Sequence, residues 1–502
     1  MRYRAAIPVF LSGLLFALGW MDLPIANSQT ISTSSSSTAP SSPPSSAAPQ
    51  THPRIQQAVD KLAQTIHEYG GTVGVYIVDI PTGKVLGAHE PKTALNPASN
   101  MKLVTAGAAL WKLTAHHTYR TGLYGQHKGQ EVHQLVLRGY GDPSFEAKDL
   151  WELTQGLSRL GVKRVRGDIL VDQSFFDDAY VPPGFEQQPN EWAYFRAPVS
   201  AIALEANTVT MHVTATKSGE PALVSFAPPG FVDMAGRVTT GAGGSEQSVT
   251  LTLTPQDGRL QARVGGSIPE DSIRMRFTQR IDDPSLFAGY ALRAILAERG
   301  IQVDGQVRAG GEKITRLLAM HHSSRLANLL ERLGKDSDNF YAEMIFKSLA
   351  GDTKRRGLTT ASGAEVARAY LESIGAFDEG TLMRNGSGLF DSNRLTAHTL
   401  GTVLRSSYQD PVVQSEFVRH LAVGGQDGTL RWRFRDKMTK GIVRAKTGTL
   451  ASVTSLSGYV LPRNRNPIAF AIIVNGVAGK ITGARDSIDR CVQTVVRESY
   501  KD

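Results

Sequence analysis

The strand patterns near the two ends of the chain constrain its fold most strongly. Alternating apolar residues predict a strand over 72–79 and another over 84–89, joined by a Pro-Thr-Gly turn. Three further strands are predicted over 446–450, 455–461 and 468–474. A short hairpin alone is marginally stable and leaves exposed edges. We therefore expect one antiparallel five-stranded sheet built from both ends of the chain and covered by helices.

The residues between these ends divide into a β-rich part and a helical part. Short alternating strands separated by Gly/Pro turns run from about 121 to 285, and helical periodicity returns over 285–298 and between 326 and 404. The chain is thus predicted to be of the α/β (α+β) class. We expect residues 54–120 and 286–502 to form a discontinuous domain and residues 121–285 to form a β-rich insertion of one or two subdomains.

The first fifty residues have the composition of an export segment followed by a tether. Two arginines precede an apolar run over 7–21, which is short for a membrane span and fits the core of a secretory signal. Residues 27–53 are rich in Ser, Pro and Ala and are predicted to be a disordered linker. Because Pro24 makes a poor cleavage site, residues 1–26 are either a signal peptide or an N-terminal anchor. We expect export to the periplasm or cell envelope, with a membrane tether if the segment is not cleaved.

Charge and cysteine content exclude some classes of function. The net charge is +9, but no basic run exceeds Lys354, Arg355 and Arg356, so a nucleic-acid groove is not expected. A mildly basic protein suits an anionic surface such as a cell wall. Cys491 is the single cysteine, so no intramolecular disulfide can form. Its place in an amphipathic stretch over 481–496 predicts a buried structural thiol.

Ser99 and Lys102 form a Ser-x-x-Lys pair at the start of an apolar helical run. Residues three apart share a helix face, so the lysine amine can reach the serine hydroxyl. A serine needs a neighbouring base to become a nucleophile, and a lysine acts as that base only when burial or a second cation lowers its pKa. A helix N-terminus also favours negative charge on the serine oxygen. Asn100 and Met101 are interpreted as helix spacers.

The triplet Ser337, Asp338 and Asn339 opens a second amphipathic helix. Ser and Asp before a helix are common N-cap residues, so the triplet alone favours a helix start. The functional interpretation is that the Ser337 hydroxyl relays a proton between Lys102 and a leaving amine. Asn339 would then offer its amide to a substrate backbone or to Lys102.

The third motif is Lys446, Thr447, Gly448 and Thr449 at the start of a predicted strand. A Lys-Thr-Gly triplet should occur roughly 0.1 times in a chain of this size, whereas Ser-x-x-Lys should occur about once or twice. The motif offers a cation, hydroxyl groups and a strand edge to which an extended peptide can add. Gly448 is expected to keep that approach clear of a side chain.

The order Ser-x-x-Lys, Ser-Asp-Asn, Lys-Thr-Gly is typical of penicillin-binding proteins and class A β-lactamases. With the long separation between Ser99 and Ser337, the chain resembles the D-Ala-D-Ala carboxypeptidase/endopeptidases of the penicillin-binding protein 4 type, peptidase family S13, over about residues 55–500. The stretches that carry the resemblance are 97–110, 139–145, 197–209, 337–345, 385–389 and 445–450. The resemblance implies a serine β-lactamase/DD-peptidase-like transpeptidase domain with a large insertion.

The resemblance also implies roles for the motif residues. Ser99 would attack the carbonyl between two D-alanines and form an acyl-enzyme. Lys102 would be the general base, assisted by Ser337 and by the charge of Lys446. Backbone N–H groups of Ser99 and Thr449 would form the oxyanion hole, a kind of donor that contributes about 10²–10³ in rate. The substrate-binding residues would be Asn339, Thr447, Gly448 and Thr449.

The implied substrates are peptidoglycan stem peptides, cleaved at D-Ala-D-Ala or at D-Ala-meso-diaminopimelate cross-links. β-Lactams would be covalent inhibitors. No cofactor, metal or nucleic acid is expected, and a homodimer is possible. The family often has Ser-Arg after its Gly-Ser-Gly-Leu segment, with the arginine binding the acidic end of diaminopimelate. Here Phe390 and Asp391 follow and Arg394 is the candidate substitute; Asn385 stands where Asp is usual.

Three alternatives stay open. A β-lactamase shares the motif order, although the long first gap and the lack of a Glu-x-x-x-Asn loop between the later motifs are unlike one. A non-catalytic binding protein would have a degenerate motif, and all three motifs are intact. A zinc peptidase would need a His-Glu-x-x-His arrangement, which the adjacent histidines at 116–117 and 321–322 do not provide.

Overall fold

The computed structural model describes residues 51–189, 191–351 and 356–501. The predicted export segment 1–26 and nearly all of the predicted linker 27–53 lie outside these ranges. The helices are α1 (Pro53–Glu68), α2 (Met101–Leu113), α3 (Ala147–Arg159), α4 (Phe287–Glu298), α5 (Leu326–Lys335), α6 (Asn339–Ser348), α7 (Thr360–Ser373), α8 (Ala397–Gln409), α9 (Gln414–Arg419) and α10 (Ile481–Glu498).

The strands range in length from two to nine residues. They are β1 (Thr72–Asp79), β2 (Val85–His89), β3 (Arg120–Lys128), β4 (Glu131–Gly139), β5 (Arg164–Val165), β6 (Ile169–Asp172), β7 (Thr208–Thr214), β8 (Leu223–Ala227), β9 (Val232–Gly236), β10 (Thr239–Gly241), β11 (Thr250–Gln256), β12 (Arg259–Gly265), β13 (Ser267–Pro269), β14 (Met275–Arg280), β15 (Gln302–Val303), β16 (Val307–Ala309), β17 (Leu317–His322), β18 (Ala422–Val423), β19 (Val443–Leu450), β20 (Val453–Val460) and β21 (Ile468–Asn475).

The two ends of the chain meet in one antiparallel sheet, as predicted. Its order is β18-β19-β20-β21-β1-β2, so the five predicted strands are present and a two-residue strand, β18, is added at one edge. Side chains of β21 alternate between the faces: Phe470 and Ile472 pack with α1 and α10, whereas Ala471 and Ile473 pack with α2, α6 and α8. Both faces are covered, which explains why β20 is buried at every position.

The region between Tyr119 and Ser323 has its own sheets and core. The largest sheet has the order β15-β5-β4-β3-β17, with β6 also paired to β4 and to β16. Smaller sheets have the orders β11-β12-β9, β14-β7-β8 and β10-β13. Helices α3 and α4 pack against these strands in one apolar cluster.

Strand pairing bears on the far boundary of the insertion, which the sequence predicts at residue 285. Strands β15, β16 and β17 pair with β5, β6 and β3, and α4 lies in the core of the insertion. We therefore propose that the insertion extends from about 120 to 322. The helical periodicity of α4 shows which of its faces is apolar, but it does not say which sheet that face covers.

The α1/α10 layer contains the single cysteine. Cys491 is buried on α10, and burial raises the pKa of its thiol to about 12, as expected of a structural residue. None of the helices in the described ranges combines the length and hydropathy that a bilayer crossing needs.

Candidate active site

Ser99 lies in a single 3₁₀ turn, Ala98–Asn100, that leads directly into α2. Ala98 has a positive φ of 45°, so the turn must be held from outside. Asn100 holds it: its amide donates to the Lys446 carbonyl at 3.2 Å and to Ser455 Oγ at 2.8 Å. Ser455 Oγ in turn donates to the Pro97 carbonyl at 2.8 Å. Asn100, interpreted as a spacer, is thus a buried link between the first and third motifs.

Gly448 lies against the turn that carries Ser99. A Cβ at this position would lie 2.2 Å from Ser455 Oγ and 3.0 Å from both Ala98 Cβ and the Pro97 carbonyl oxygen. The glycine therefore lets β19 pack against the turn that carries Ser99.

Lys102 is fully buried and its amine contacts both of the first two motifs. Its Nζ donates to Ser99 Oγ at 3.1 Å, to Asn339 Oδ1 at 2.8 Å and to the Ser387 carbonyl at 2.8 Å. Of the two contacts predicted for Asn339, the structure contains the one to Lys102. The lysine is thereby aimed at the serine hydroxyl.

Burial lowers the pKa of Lys102 to about 7, against the opposing effect of Glu343 and Asp338. Of the two causes that the sequence offered, burial and a second cation, burial is the one that lowers this pKa. Burial also lowers the pKa of Lys446, and the charge of Lys102 adds to that effect. Near neutral pH the Lys102 amine is therefore available as a base.

Ser337 is held by the third motif. Lys446 Nζ donates to Ser337 Oγ at 2.7 Å and to the Thr447 carbonyl at 2.8 Å. Ser337 has a positive φ of 58°, and Asp338 caps α6 by accepting from the Tyr341 N–H at 3.1 Å. The N-cap interpretation and the functional one are therefore compatible, because Asp338 is the cap and Ser337 faces Lys446.

Glu343 is a buried site residue that the motifs did not reveal. Its carboxylate accepts from the Gly386 N–H at 3.0 Å and the Ser387 N–H at 2.8 Å. It thus holds the segment whose Ser387 carbonyl receives Lys102, and its pKa is raised by burial. A glutamate within the apolar stretch FYAEMIF was the available signal, since an unpaired buried carboxylate is costly.

The strand edge beside the motif is open along most of its length. Strand β18 pairs only with Arg444 and Ala445, so within the described residues the following part of β19 has no neighbouring strand on that side. Thr449 is exposed, and Thr447 Oγ1 donates to Thr429 Oγ1 at 2.9 Å. An extended peptide can therefore pair with this edge.

Comparison with known proteins places this geometry in a family. The D-Ala-D-Ala carboxypeptidase 3 (S13) family model matches residues 55–497. The chain belongs to the S13 peptidase family. It is 33% identical to the D-alanyl-D-alanine carboxypeptidase of Actinomadura sp. (strain R39), over 85% of this chain and 81% of that protein. It is 24% identical to D-alanyl-D-alanine carboxypeptidase DacB of Haemophilus influenzae, over 83% of this chain and 88% of that protein.

A solved structure supports the fold of this S13 chain. Penicillin binding protein 4 (dacB) from Haemophilus influenzae matches with a TM-score of 0.72 at 23% identity, covering 88% of this chain and 99% of that one. The same Haemophilus protein complexed with a β-lactam matches with a TM-score of 0.69. The predicted fold class, a DD-peptidase-like domain with a β-rich insertion, is thus confirmed.

Asn385 departs from the usual Asp of the family for a visible reason. Its Nδ2 donates to the Pro183 carbonyl at 2.9 Å and the Leu389 carbonyl at 3.3 Å. Its Oδ1 accepts from Asn393 Nδ2 at 2.8 Å and from the Gly388 N–H at 3.0 Å. An aspartate would turn an acceptor toward the two carbonyls, so this environment requires an amide.

We expect Asn385→Asp to lower the free energy of unfolding by about 1–3 kcal/mol, because a buried carboxylate would face unpaired acceptors. Chemical denaturation of the purified variant measures the change. Asn328→Asp is the matched control, since its exposed Oδ1 only accepts from Arg419 and a carboxylate does the same. Equal stability of both variants would contradict this account of Asn385.

Arg394, the candidate substitute for the arginine that the family often has, is already paired with Asp391. Arg394 Nη1 donates to Asp391 Oδ1 at 2.5 Å and to the Asn393 carbonyl at 2.9 Å. Asn96 Nδ2 also donates to Asp391, at 3.1 Å. A substrate carboxylate would have to compete with Asp391 for Arg394.

The histidine pairs considered for a zinc site have other contacts. His321 Nε2 lies 3.5 Å from Asp142 Oδ2, and the His117 ring packs edge-on against Tyr119. In the part of the chain that the structure describes, no three His, Cys, Asp or Glu side chains are grouped to hold a metal ion.

Proposed function

We propose that this S13 chain is a penicillin-sensitive serine DD-peptidase that acts through an acyl-enzyme on Ser99. Its substrates are peptidoglycan stem peptides, cleaved at D-Ala-D-Ala or at the D-Ala-diaminopimelate cross-link. The observation that carries the proposal is the contact of Ser99 Oγ with a fully buried Lys102 amine whose pKa is about 7.

Acylation begins with proton transfer from Ser99 to Lys102. Ser99 Oγ bonds to the carbonyl carbon, and the oxyanion accepts from the backbone N–H groups of Ser99 and Thr449. The start of α2 adds the positive end of a helix dipole at the same place.

Collapse of the tetrahedral intermediate breaks the C–N bond, and the leaving nitrogen takes a proton. Lys446 donates to Ser337 Oγ, so the Ser337 hydroxyl hydrogen is free to point at that nitrogen. The proton that Lys102 accepted from Ser99 then passes to Ser337 and restores its hydroxyl group. Water then attacks the acyl-enzyme with Lys102 again acting as base.

Substrate binding uses the third motif and Asn339. The peptide adds to the open edge of β19 beyond Gly448, and the Thr447 and Thr449 hydroxyls with the charge of Lys446 meet the terminal carboxylate. β-Lactams enter the same site because they present a strained amide beside a carboxylate.

Labelling with a fluorescent penicillin, followed by peptide mass spectrometry, tests this function. The label is expected on Ser99 with slow release, and purified muropeptides should lose D-Ala or their cross-link. Label on any other residue would overturn the mechanism. Rapid turnover of penicillin would favour the β-lactamase alternative, and labelling without peptide cleavage would favour a binding protein.

Acylation should depend on pH through Lys102. The base is the neutral amine, so the rate is expected to fall about tenfold for each pH unit below 7 and to level off above it. The second-order rate of penicillin acylation between pH 5 and 9 measures this, with thermal unfolding followed at each pH as the control. A flat profile over this range would contradict the assignment of Lys102 as base.

We further propose that the protein acts in the cell envelope, on the support of the apolar run at 7–21. Fractionation of cells that express the full chain tests this, and recovery in the cytoplasm would refute it. A homodimer stays a prediction, which sedimentation of the purified chain can test.

A further inference from the structure

The segment 431–440, which precedes β19, forms an exposed basic surface. It has five cationic residues and one acidic residue among its ten positions. Trp432 is 75% exposed, although tryptophan is a residue type that folded proteins usually bury for the most part. Four of the cations are exposed beside it. We call these five residues the basic surface: Arg431, Trp432, Arg435, Lys437 and Lys440.

The residues between these exposed side chains hold the segment in place. Phe434 is buried in the α1/α10 layer. Arg433 Nε donates to Asp489 Oδ2 of α10 at 3.1 Å. Asp436 accepts from the Met438 N–H at 3.0 Å, which closes a turn. The basic surface is therefore presented by an anchored backbone.

The cations of the basic surface are available to a ligand. Across the ranges that the structure describes, none of the four is in a salt bridge. The Arg435 guanidinium carbon lies 5.4 Å from the centroid of the Trp432 ring, a contact with the ring that uses none of its N–H donors for a carboxylate. Unpaired positive charges grouped in this way attract an anionic partner.

The basic surface begins beside the strand to which the substrate adds. Thr447 of the Lys-Thr-Gly motif donates through Oγ1 to Thr429 Oγ1 at 2.9 Å. Trp432 follows Thr429 by three residues, so their Cα atoms are at most about 11 Å apart. A peptide on the open edge of β19 therefore has the basic surface within reach of the groups attached to it.

The composition of the basic surface indicates the chemistry of its ligand. This step rests on the proposed function, in which the cleaved stem peptide belongs to a polymer. Neighbouring stem peptides carry carboxylates, which arginine and lysine bind, and the sugar rings between them have apolar faces that can stack on an indole. Cations combined with an aromatic platform also hold single-stranded nucleic acids, which are flexible anionic polymers. The place beside β19 favours the polymer over an anionic membrane.

We propose that the basic surface is a binding site for the polymer form of the substrate, separate from the acylation site. It holds the glycan strand and the carboxylates of neighbouring stem peptides while one stem peptide lies on β19. The second contact raises the local concentration of stem peptides at Ser99. A free pentapeptide has neither the glycan strand nor the neighbouring peptides and does not use this site.

Cosedimentation with insoluble purified peptidoglycan tests the proposal. The protein is kept in excess penicillin, so that the acylation site is occupied. We expect Trp432→Ala and the double variant Arg435→Gln/Lys437→Gln each to weaken binding about tenfold, the loss typical of an aromatic or arginine anchor. Binding of the parent protein should weaken as salt is added. Without penicillin, both variants should cleave insoluble peptidoglycan more slowly and a soluble pentapeptide at the parental rate.

Each variant has a matched control in the insertion. Trp151→Ala removes another exposed tryptophan, 44% exposed, with the Arg299 guanidinium 3.8 Å from its ring centroid. Lys128→Gln/Lys217→Gln removes two exposed cations and changes the net charge by the same amount. Both controls should bind peptidoglycan like the parent protein. The rate of penicillin labelling reports whether each variant is folded.

The outcomes separate this proposal from the proposed function. Parental binding in both variants of the basic surface, or an equal loss in the controls, would overturn the site. Weaker binding to phosphatidylglycerol vesicles with unchanged binding to peptidoglycan would overturn the polymer in favour of a membrane. A parent protein that is not labelled by penicillin and cleaves no peptide would overturn the proposed function, whereas cosedimentation still reports on the basic surface.

Discussion

Replacement of Ser99 by alanine is expected to abolish covalent labelling by penicillin and to lower pentapeptide hydrolysis by on the order of 10⁴–10⁶. The methyl group cannot form the ester on which the proposed mechanism depends. The Ser99 hydroxyl has one hydrogen bond, from Lys102 at 3.1 Å, so its loss should leave the fold unchanged. Gel fluorescence and release of D-Ala from a pentapeptide measure the two effects.

Ser373→Ala provides the comparison for Ser99→Ala. Ser373 Oγ donates to the Tyr370 carbonyl at 2.7 Å at the end of α7. The substitution therefore removes a serine hydroxyl that lies outside the site. Labelling of this variant should match the parent protein. Persistent labelling of Ser99→Ala would mean that the acylated residue lies elsewhere.

Replacement of Lys102 by methionine is expected to slow acylation by about 10²–10⁴, the contribution of a general base. Methionine fills a similar volume without a proton acceptor for Ser99. The fold should persist because the substitution also removes the cost of burying a polar amine, although Asn339 Oδ1 and the Ser387 carbonyl lose a donor. Rates of penicillin labelling, with thermal unfolding alongside, separate the two effects.

Lys347→Met is the matched control for Lys102→Met. Lys347 is also buried, but on α6 it is paired with Asp177 and donates to the Ala179 carbonyl at 2.9 Å. Breaking this pair should cost about 3–5 kcal/mol of stability while the folded fraction is labelled at the parental rate. A Lys102→Met variant labelled as fast as the parent would exclude Lys102 as the base.

Much of the fold was predictable because its signals are local. Alternation over 72–79 and 468–474 located the strands of the central sheet, and the need to cover their edges predicted that both ends of the chain share it. The short strand β18 was missed because two residues carry no periodicity. The sequence did not reveal that α4 packs in the core of the insertion, because the packing partner of a helix is decided by the tertiary structure.

The part of the site that consists of short sequence motifs was predictable. Ser99, Lys102, Ser337 and Lys446 were proposed from spacing and order, and the structure brings them together in two hydrogen-bonded pairs. Asn100 was missed because its partners, Ser455 and the Lys446 carbonyl, lie about 350 residues away along the chain.

The sequence by itself determined which reactive groups the chain has, their order and the strands that must pair. Only the tertiary structure decided what surrounds them. Packing buries Lys102 and lowers its pKa to about 7, which no count of charges along the chain can indicate, because desolvation depends on everything that excludes water from the amine. Packing also placed Glu343 behind Ser387.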